Sequence, residues 1–235
     1  MEFCVEFSNL NIKVSSIYDY TYNFCKEYLS DKAPDFEVAT TEEKISKEIE
    51  VSDFNPPRGY AESICIYREI AEKIPEFNRC VFHGAVVEYD GSGYIFTAPS
   101  GTGKTTHIML WKKYLGEKCC VVNGDKPILN IEKNGVTAFA TPYAGKEGMQ
   151  NHSSAPVKGI CLIKRGTENR IEKVSAGKYL TEIIPQVYMP KSPVAAIKTL
   201  EMLDDLLRIV PLYVLYCDIS EKAFKTSFEA LTKGN

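Results

Sequence analysis

The sequence predicts a mixed α/β protein in which helices flank a sheet that carries a phosphate-binding loop. Three observations favour this fold class. Segments of alternating apolar residues and segments with helical spacing follow one another along the 235 residues. Hairpin patterns interrupt that succession, which indicates a mixed sheet rather than a purely parallel one. A glycine-rich stretch lies between a predicted strand and a predicted helix.

The first 57 residues form a small α+β extension in this prediction. Two strands, a helix, a third strand and a second helix are expected there, and Thr41 is expected to cap the second helix. Two prolines and a glycine in residues 53–59 favour a linker. We therefore predict domains at 1–57 and 58–235, or a single domain into which the extension packs.

The remaining chain alternates between helical and extended patterns. Helices are predicted at 64–74, 105–114, 176–184, 193–209 and 220–231, and strands at 81–87, 94–96, 119–122, 128–131, 136–140, 159–163 and 211–217. The run at 119–122 is apolar without interruption, which is typical of a buried central strand.

Composition favours a cytoplasmic protein that binds neither nucleic acid nor membranes. The net charge is −3, but residues 1–80 carry 16 acidic and 9 basic side chains, and residues 81–235 carry 15 acidic and 19 basic ones. The basic excess of the second part suits an anionic ligand. The eight cysteines lie mostly in apolar runs, which is typical of reduced thiols. Neither a signal peptide nor a membrane-spanning segment is recognisable.

The strongest chemical motif is the run APSGTGKTT at residues 98–106. It fits the phosphate-loop pattern with alanine at the first position. Glycines let successive backbone N–H groups face an anion, and the following helix directs its positive end there. Lys104 is predicted to reach the β- and γ-phosphates of ATP, and Thr105 to ligate Mg²⁺. The predicted nucleotide-binding residues are Ser100, Gly101, Thr102, Gly103, Lys104, Thr105 and Thr106.

Two further residues are candidates for chemistry beside this loop. Asp125 follows the next apolar strand, and it can bind Mg²⁺ or accept a proton from a substrate hydroxyl. His83 lies in the hairpin strand that precedes the loop, and it can hydrogen-bond Asp125, act as an acid–base group or fill a core position. GTPase and ABC-transporter motifs are not found in the sequence.

These motifs together resemble the catalytic domain of HPr kinase/phosphorylase, which shares its fold with ATP-dependent phosphoenolpyruvate carboxykinases. The segments that carry the resemblance, in chain order, are Phe82–Val86, the Gly91–Gly93 turn, the loop at 98–106 and Val122–Asp125. The similarity covers about residues 80–165. It implies phosphate contact by Lys104, magnesium at Thr105 and Asp125, a pairing of His83 with the acidic site, and a second cation at Lys146. The family usually carries two adjacent aspartates, and Gly124 replaces the first of them.

The resemblance implies an ATP- and Mg²⁺-dependent kinase that phosphorylates a hydroxyl of a small molecule or a Ser/Thr side chain. Because Gly124 removes one aspartate, a nucleotide-binding sensor without catalysis is the alternative. Carboxykinase chemistry is a second alternative, although few arginines are present to bind a carboxylate substrate. The expected partners are a nucleotide and an unidentified acceptor, and homo-oligomer formation and reverse phosphorolysis stay open.

Overall fold

The computed structural model describes residues 1–233, which form seven α-helices, twelve strands and several short 3₁₀ turns. The helices are α1 Asp19–Phe24, α2 Glu42–Glu50, α3 Arg58–Lys73, α4 Lys104–Leu115, α5 Leu180–Ile183, α6 Pro193–Ile209 and α7 Glu221–Lys233. The strands are β1 Glu2–Phe7, β2 Leu10–Ser15, β3 Phe36–Ala39, β4 Arg79–Val81, β5 Ala85–Tyr89, β6 Ser92–Thr97, β7 Cys119–Asn123, β8 Ile128–Glu132, β9 Gly135–Phe139, β10 Ser154–Arg165, β11 Arg170–Val174 and β12 Leu212–Cys217. The predicted mixed α/β class is confirmed.

The central sheet runs in the order β11-β12-β10-β6-β5-β7. Strands β6, β10 and β12 are parallel to one another. Strand β5 is antiparallel to both β6 and β7, so β7 has the same direction as β6. The carboxyl ends of four strands (β6, β7, β10 and β12) and the start of β5 therefore meet at one edge of the sheet.

Strand β10 is long enough to belong to a second sheet as well. Its first residues, Ser154–Pro156, pair antiparallel with β9, which continues through β8 to β4. From Val157 onward it pairs with β6 instead. The two sheets therefore share one strand and enclose a core between them.

Each face of the central sheet buries apolar side chains. On one face, Phe96, Cys161 and Leu215 pack against Trp111 of α4 and Phe224 of α7. On the other face, residues such as Ile95, Leu162 and Val214 pack against the second sheet and α6. Because β6, β10 and β12 are covered on both faces, their sequences are apolar at successive positions rather than at alternate ones.

The N-terminal residues form a separate three-stranded sheet in the order β1-β2-β3. Its apolar face packs against α3, and the same hydrophobic cluster contains Val81, Ile128 and Tyr143 from the rest of the chain. Apolar packing is thus continuous across the sequence position of the predicted linker.

The sequence prediction placed β7 wrongly within the sheet. Within residues 1–233, this strand lies at the end of the sheet order and has only β5 as a strand partner. Its side chains are nevertheless covered on both faces, since Val122 and Val121 join the cores on opposite sides. A single antiparallel bridge from Asn123 to Gln150 covers part of its outer edge. Burial of both faces explains the apolar run without a central position.

Smaller differences concern the C-terminal half. Strand β11 was not predicted, because only Ile171 and Val174 of its residues are apolar and most of the strand is exposed. The predicted helix at 176–184 is only one short turn of α-helix between 3₁₀ turns, with Pro185 in the second of them. Helix α6 has the predicted bounds, and two of its apolar side chains, Ile197 and Leu200, are exposed. Among residues 1–233, no helix is long and apolar enough to cross a membrane.

Candidate functional site

The glycine-rich loop occupies the centre of the edge where the carboxyl ends of the strands meet. It connects β6 to α4. Asp125 follows β7 and His83 precedes β5, so both lie on one side of the loop. Arg165 ends β10 and lies on the other side. Ligands of α/β proteins typically bind outside the carboxyl ends of the strands, which makes this edge the candidate site.

The loop has a backbone that only glycines adopt readily. Gly101 and Gly103 have φ angles of +76° and +119°, in the region that L side chains rarely adopt. The guanidinium of Arg165 holds the loop from outside, donating through Nη2 to the carbonyl oxygen of Gly101 at 2.6 Å and through Nε to that of Thr102 at 3.3 Å. Because both carbonyl oxygens accept hydrogen bonds from Arg165, the loop has a defined conformation.

Helix α4 begins directly after this loop with an unblocked N-terminus. Gly103 is the N-cap residue and has no side chain to accept from the first-turn N–H groups. The first turn holds Lys104, Thr105 and Thr106, and no acidic residue. The exposed N–H groups and the helix dipole therefore favour an anion at this position.

The side chain of Lys104 is 8% exposed and folds back onto the loop. Its Nζ donates to the carbonyl oxygen of Ala98 at 2.9 Å. Burial lowers the pKa of this ammonium group, and the Asp125 carboxylate partly opposes the effect. A phosphate group placed in the loop would supply the negative charge that this buried ammonium lacks.

Asp125 and His83 form a hydrogen-bonded pair. Nε2 of His83 lies 3.3 Å from Oδ1 of Asp125, while Nδ1 lies 3.0 Å from Oε1 of Gln186. Lys126 forms an ion pair with the other carboxylate oxygen. Burial alone favours the neutral acid, but the His83 hydrogen bond and the Lys126 charge outweigh it and lower the pKa of Asp125 to about 2. The carboxylate is therefore ionised at neutral pH.

Asn123 fixes the turn that presents this carboxylate. Its Oδ1 accepts from the backbone N–H groups of Asp125 at 2.9 Å and Lys126 at 2.8 Å. Its Nδ2 donates to the carbonyl oxygen of Thr141 at 3.0 Å. This buried Asx turn ends β7 and directs Asp125 toward the loop. The backbone N–H of Gly84 donates to the carbonyl oxygen of Asp125 at 2.9 Å.

Gly124 lies under the segment 142–149. A Cβ atom at this position would be 2.7 Å from the carbonyl oxygen of Ala144 and 3.2 Å from that of Met149. The backbone there leaves no room for any side chain. The packing of the segment 142–149 therefore excludes a second carboxylate at position 124, next to Asp125.

All predicted residues except Thr102 line one cleft of about 1110 Å³, called the main cleft below. A cleft of this size accommodates a nucleotide together with a second small molecule. Lys146 lies at its exposed rim. Thr102 lies in a smaller cleft on the Arg165 side instead. The predicted residues that line the main cleft are His83, Ser100, Gly101, Gly103, Lys104, Thr105, Thr106, Asp125 and Lys146.

Three features of the site were not assigned a role from sequence. Lys126 pairs with Asp125 and was overlooked although it is the next residue. Gln186 reaches His83 across a separation of more than 100 residues, which no local pattern reveals. Aromatic residues among the first 73 residues, called the N-terminal part below, also line the main cleft, and Tyr20 and Tyr60 are among them.

The residues present fit Mg²⁺ only together with a phosphate ligand. Among residues 1–233, no cluster of three or more His, Cys, Asp or Glu side chains suits a metal ion. Thr105 and Asp125 both line the main cleft and supply one hydroxyl and one ionised carboxylate. Mg²⁺ commonly binds through one or two protein ligands with phosphate oxygens and water, and this pair matches that pattern.

The fold and the site thus define a mixed α/β protein. Its glycine-rich loop and the uncapped N-terminus of α4 favour an anion at the carboxyl ends of the sheet strands. No family model matches the chain, and no curated protein matches it. Among solved structures, it is similar to the Hpr(Ser) kinase/phosphatase from Coxiella burnetii, with 11% sequence identity and a TM-score of 0.36. That match covers 66% of this chain and 93% of the other. The similarity is a distant structural resemblance, so the functional argument rests on the residues of this chain.

Proposed function

We propose that the protein is an ATP-binding, Mg²⁺-dependent phosphotransferase that transfers the γ-phosphate to a hydroxyl group. The observation that carries this proposal is the main cleft, which joins the glycine-rich loop and Lys104 to the Asp125–His83 pair. The cleft places groups suited to a phosphate chain beside a carboxylate suited to an acceptor hydroxyl. Both are needed for phosphoryl transfer.

In this proposal the loop and α4 bind the phosphate chain. Backbone N–H groups near Gly101 and Gly103 and the first turn of α4 contact the phosphate oxygens. Lys104 leaves the Ala98 carbonyl and donates to the β- and γ-phosphates. Mg²⁺, held by Thr105 and Asp125, neutralises phosphate charge when it is bound.

Asp125 acts mainly by orienting the acceptor hydroxyl. With a pKa of about 2, its carboxylate is a weak base at neutral pH. The transition state of phosphoryl transfer is largely dissociative, so little proton removal is needed before the new bond forms. His83 holds the carboxylate in place, with Gln186 behind it. In this proposal Lys126, the ion-pair partner of Asp125, and the rim residue Lys146 offset charge on the transferred group.

A catalytically inactive nucleotide sensor is the second candidate. The packing of Ala144 over Gly124 favours it, because the site has a single aspartate where the related kinases have two. Carboxykinase chemistry is disfavoured, since no arginine among residues 1–233 lines the main cleft. Release of ADP in the presence of a hydroxyl acceptor supports the phosphotransferase, and ATP binding without release supports the sensor.

The site assignment is tested with Lys104→Ala, and Lys113→Ala on the exposed side of α4 is the control. We expect Lys104→Ala to weaken binding of MgATP at least about tenfold, as measured by isothermal titration calorimetry, because the loop loses a buried cation. Lys113→Ala should bind like the natural protein. Equal affinity in all three proteins would place the nucleotide elsewhere.

A further inference from the structure

Two clefts flank the glycine-rich loop, and the order of the strands separates them. The main cleft lies on the β5–β7 side with Asp125. A smaller cleft of about 430 Å³ lies on the β10–β12 side, and Thr102, Leu110, Arg165 and Ile219 help to line it. If the γ-phosphate reaches Asp125, the extended phosphate chain directs the nucleoside away from it, toward the smaller cleft. The rest of the main cleft then remains for the acceptor.

Part of the main cleft is lined by aromatic residues of the N-terminal part. We call Tyr20 and Phe24 of α1 and Tyr60 of α3 the aromatic wall. The rings of Tyr20 and Phe24 stack with centroids 5.8 Å apart, and Tyr60 meets Tyr20 edge-on at 6.1 Å. Tyr20 is 41% exposed, so part of its ring is available to a ligand.

The wall packs against the segment that contacts Asp125. Phe24 packs edge-on against Tyr143 at 5.1 Å, and Tyr143 precedes Gly145 by two residues. A Cβ atom on Gly145 would lie 3.2 Å from Cβ of Asp125, so this segment touches the aspartate. On the other side, Gly59 lets α3 approach α1, since a Cβ there would lie 2.6 Å from Cβ of Tyr20.

The residues that line the main cleft differ in charge according to their place in the chain. The charged lining residues are Lys104, Asp125, Lys126, Lys146 and Glu147, and Lys126 pairs with Asp125. The residues that the N-terminal part contributes to the cleft carry no charge: Tyr20, Phe24, Tyr60, Ser63 and Ile64. An uncharged aromatic surface suits a flat, uncharged ligand face rather than an ionic group or an extended peptide chain.

From this arrangement we infer that the acceptor is a small molecule whose reactive hydroxyl belongs to an uncharged ring that stacks on the aromatic wall. The inference rests on the proposed function and specifies its substrate class. The hydroxyl oxygen bonds to the γ-phosphorus of ATP, and the bond from that phosphorus to the β–γ bridging oxygen breaks. ADP leaves, and the hydroxyl proton passes by way of Asp125 to water.

The test measures ADP release from MgATP by the 235-residue protein with defined acceptors. Ring acceptors are D-glucose, N-acetyl-D-glucosamine, myo-inositol and uridine. Acyclic acceptors are glycerol, L-serine and a serine-containing peptide. Tyr20→Ala removes the exposed ring of the wall, and Tyr20→Phe keeps it. Tyr22→Ala is the matched control, because Tyr22 lies on the same helix but packs against Phe3.

We expect at least one ring acceptor to stimulate ADP release and the acyclic ones to have no effect. Tyr20→Ala should raise the KM for that acceptor roughly tenfold, with unchanged ATP affinity, while Tyr20→Phe and Tyr22→Ala match the natural protein. Thermal melting shows that each variant is folded.

Three results would overturn the inference. Stimulation by acyclic acceptors alone, or by none of the acceptors while ATP binds, rejects the ring class but leaves ATP binding at the loop intact. A loss of ATP affinity in Tyr20→Ala equal to that in Lys104→Ala assigns the wall to the nucleoside instead. Failure of the natural protein to bind MgATP rejects the proposed function itself, and the inference with it.

Discussion

The carbonyl oxygen of Ala144 lies 2.7 Å from the point that a Cβ atom on Gly124 would occupy. Gly124 stands where the resemblance to HPr kinases leads one to expect the first of two aspartates. Here the segment 142–149 fills the space in which that side chain would project. Restoring an aspartate at this position would displace a backbone segment, so the carboxylate chemistry of the site depends on Asp125.

Gly124→Ala is expected to lower the free energy of unfolding by about 1–3 kcal/mol, because the added methyl group meets the backbone at Ala144. Urea denaturation measures the change. Gly135→Ala is the control, since a Cβ there meets no atom within 4 Å. Equal free energies of unfolding in the two variants would show that the segment over Gly124 can move to accommodate the methyl group without loss of stability.

His83→Ala is expected to raise the pKa of Asp125 above its value of about 2, because the carboxylate loses one of the partners that stabilise its ionised form. Carbon-13 NMR of the labelled aspartate carboxyl groups measures this pKa. His152→Ala, which removes a histidine bonded to Glu27 instead, should leave it unchanged. An unchanged pKa in His83→Ala would mean that Lys126 alone keeps the carboxylate ionised.

Arg165→Ala is expected to loosen the glycine-rich loop, since the guanidinium donates to the carbonyl oxygens of Gly101 and Thr102. Amide hydrogen exchange in residues 100–104 should become faster, and affinity for MgATP should fall several-fold as the loop loses its ordered conformation. Arg170→Ala is the matched control, because that guanidinium stacks on Tyr216. Similar effects of both substitutions would argue against a specific role for Arg165.

His107 is expected to make the stability of the protein depend on pH. Burial lowers its pKa from 6.5 to about 4, and its Nε2 lies 3.0 Å from Oγ of Ser227. The unfolded chain therefore binds a proton at a higher pH than the folded chain does. The free energy of unfolding is highest above pH 6.5, where the imidazole is neutral in both states. It falls by roughly 3 kcal/mol as the pH drops toward 4.

His107→Leu removes this contribution although it also leaves the Ser227 hydroxyl without one partner. The variant is therefore compared by slope rather than by absolute stability. Chemical denaturation between pH 4 and 7 should show a flatter dependence on pH in His107→Leu than in the natural protein. Parallel curves would show that the buried imidazole is not responsible.

Local patterns predicted the elements well where burial has a clear period. Thr41 caps α2 as expected, since its side chain accepts from the backbone N–H of Lys44 at 3.3 Å. The strand–loop–helix arrangement around residues 98–106 was also predicted correctly, because glycines and apolar runs act over a few residues. Strand β11 was not predicted from the sequence, because an exposed edge strand needs few apolar side chains.

The candidate site was predictable in its parts but not in its connections. The sequence marked Lys104, Asp125 and His83 individually by their neighbours in the chain. The hydrogen bond from His83 to Gln186 and the aromatic wall depend on contacts between distant segments, which no local pattern encodes.

The sequence by itself determined the mixed α/β class and the glycine-rich loop with its lysine, since backbone conformation and apolar periodicity are local properties. Only the tertiary structure decided that β7 is an edge strand, that Ala144 closes the space beside Gly124, and that the N-terminal part forms one wall of the cleft. Each of these depends on which distant segments pack together, and that choice is made by the whole core rather than by any single stretch of chain.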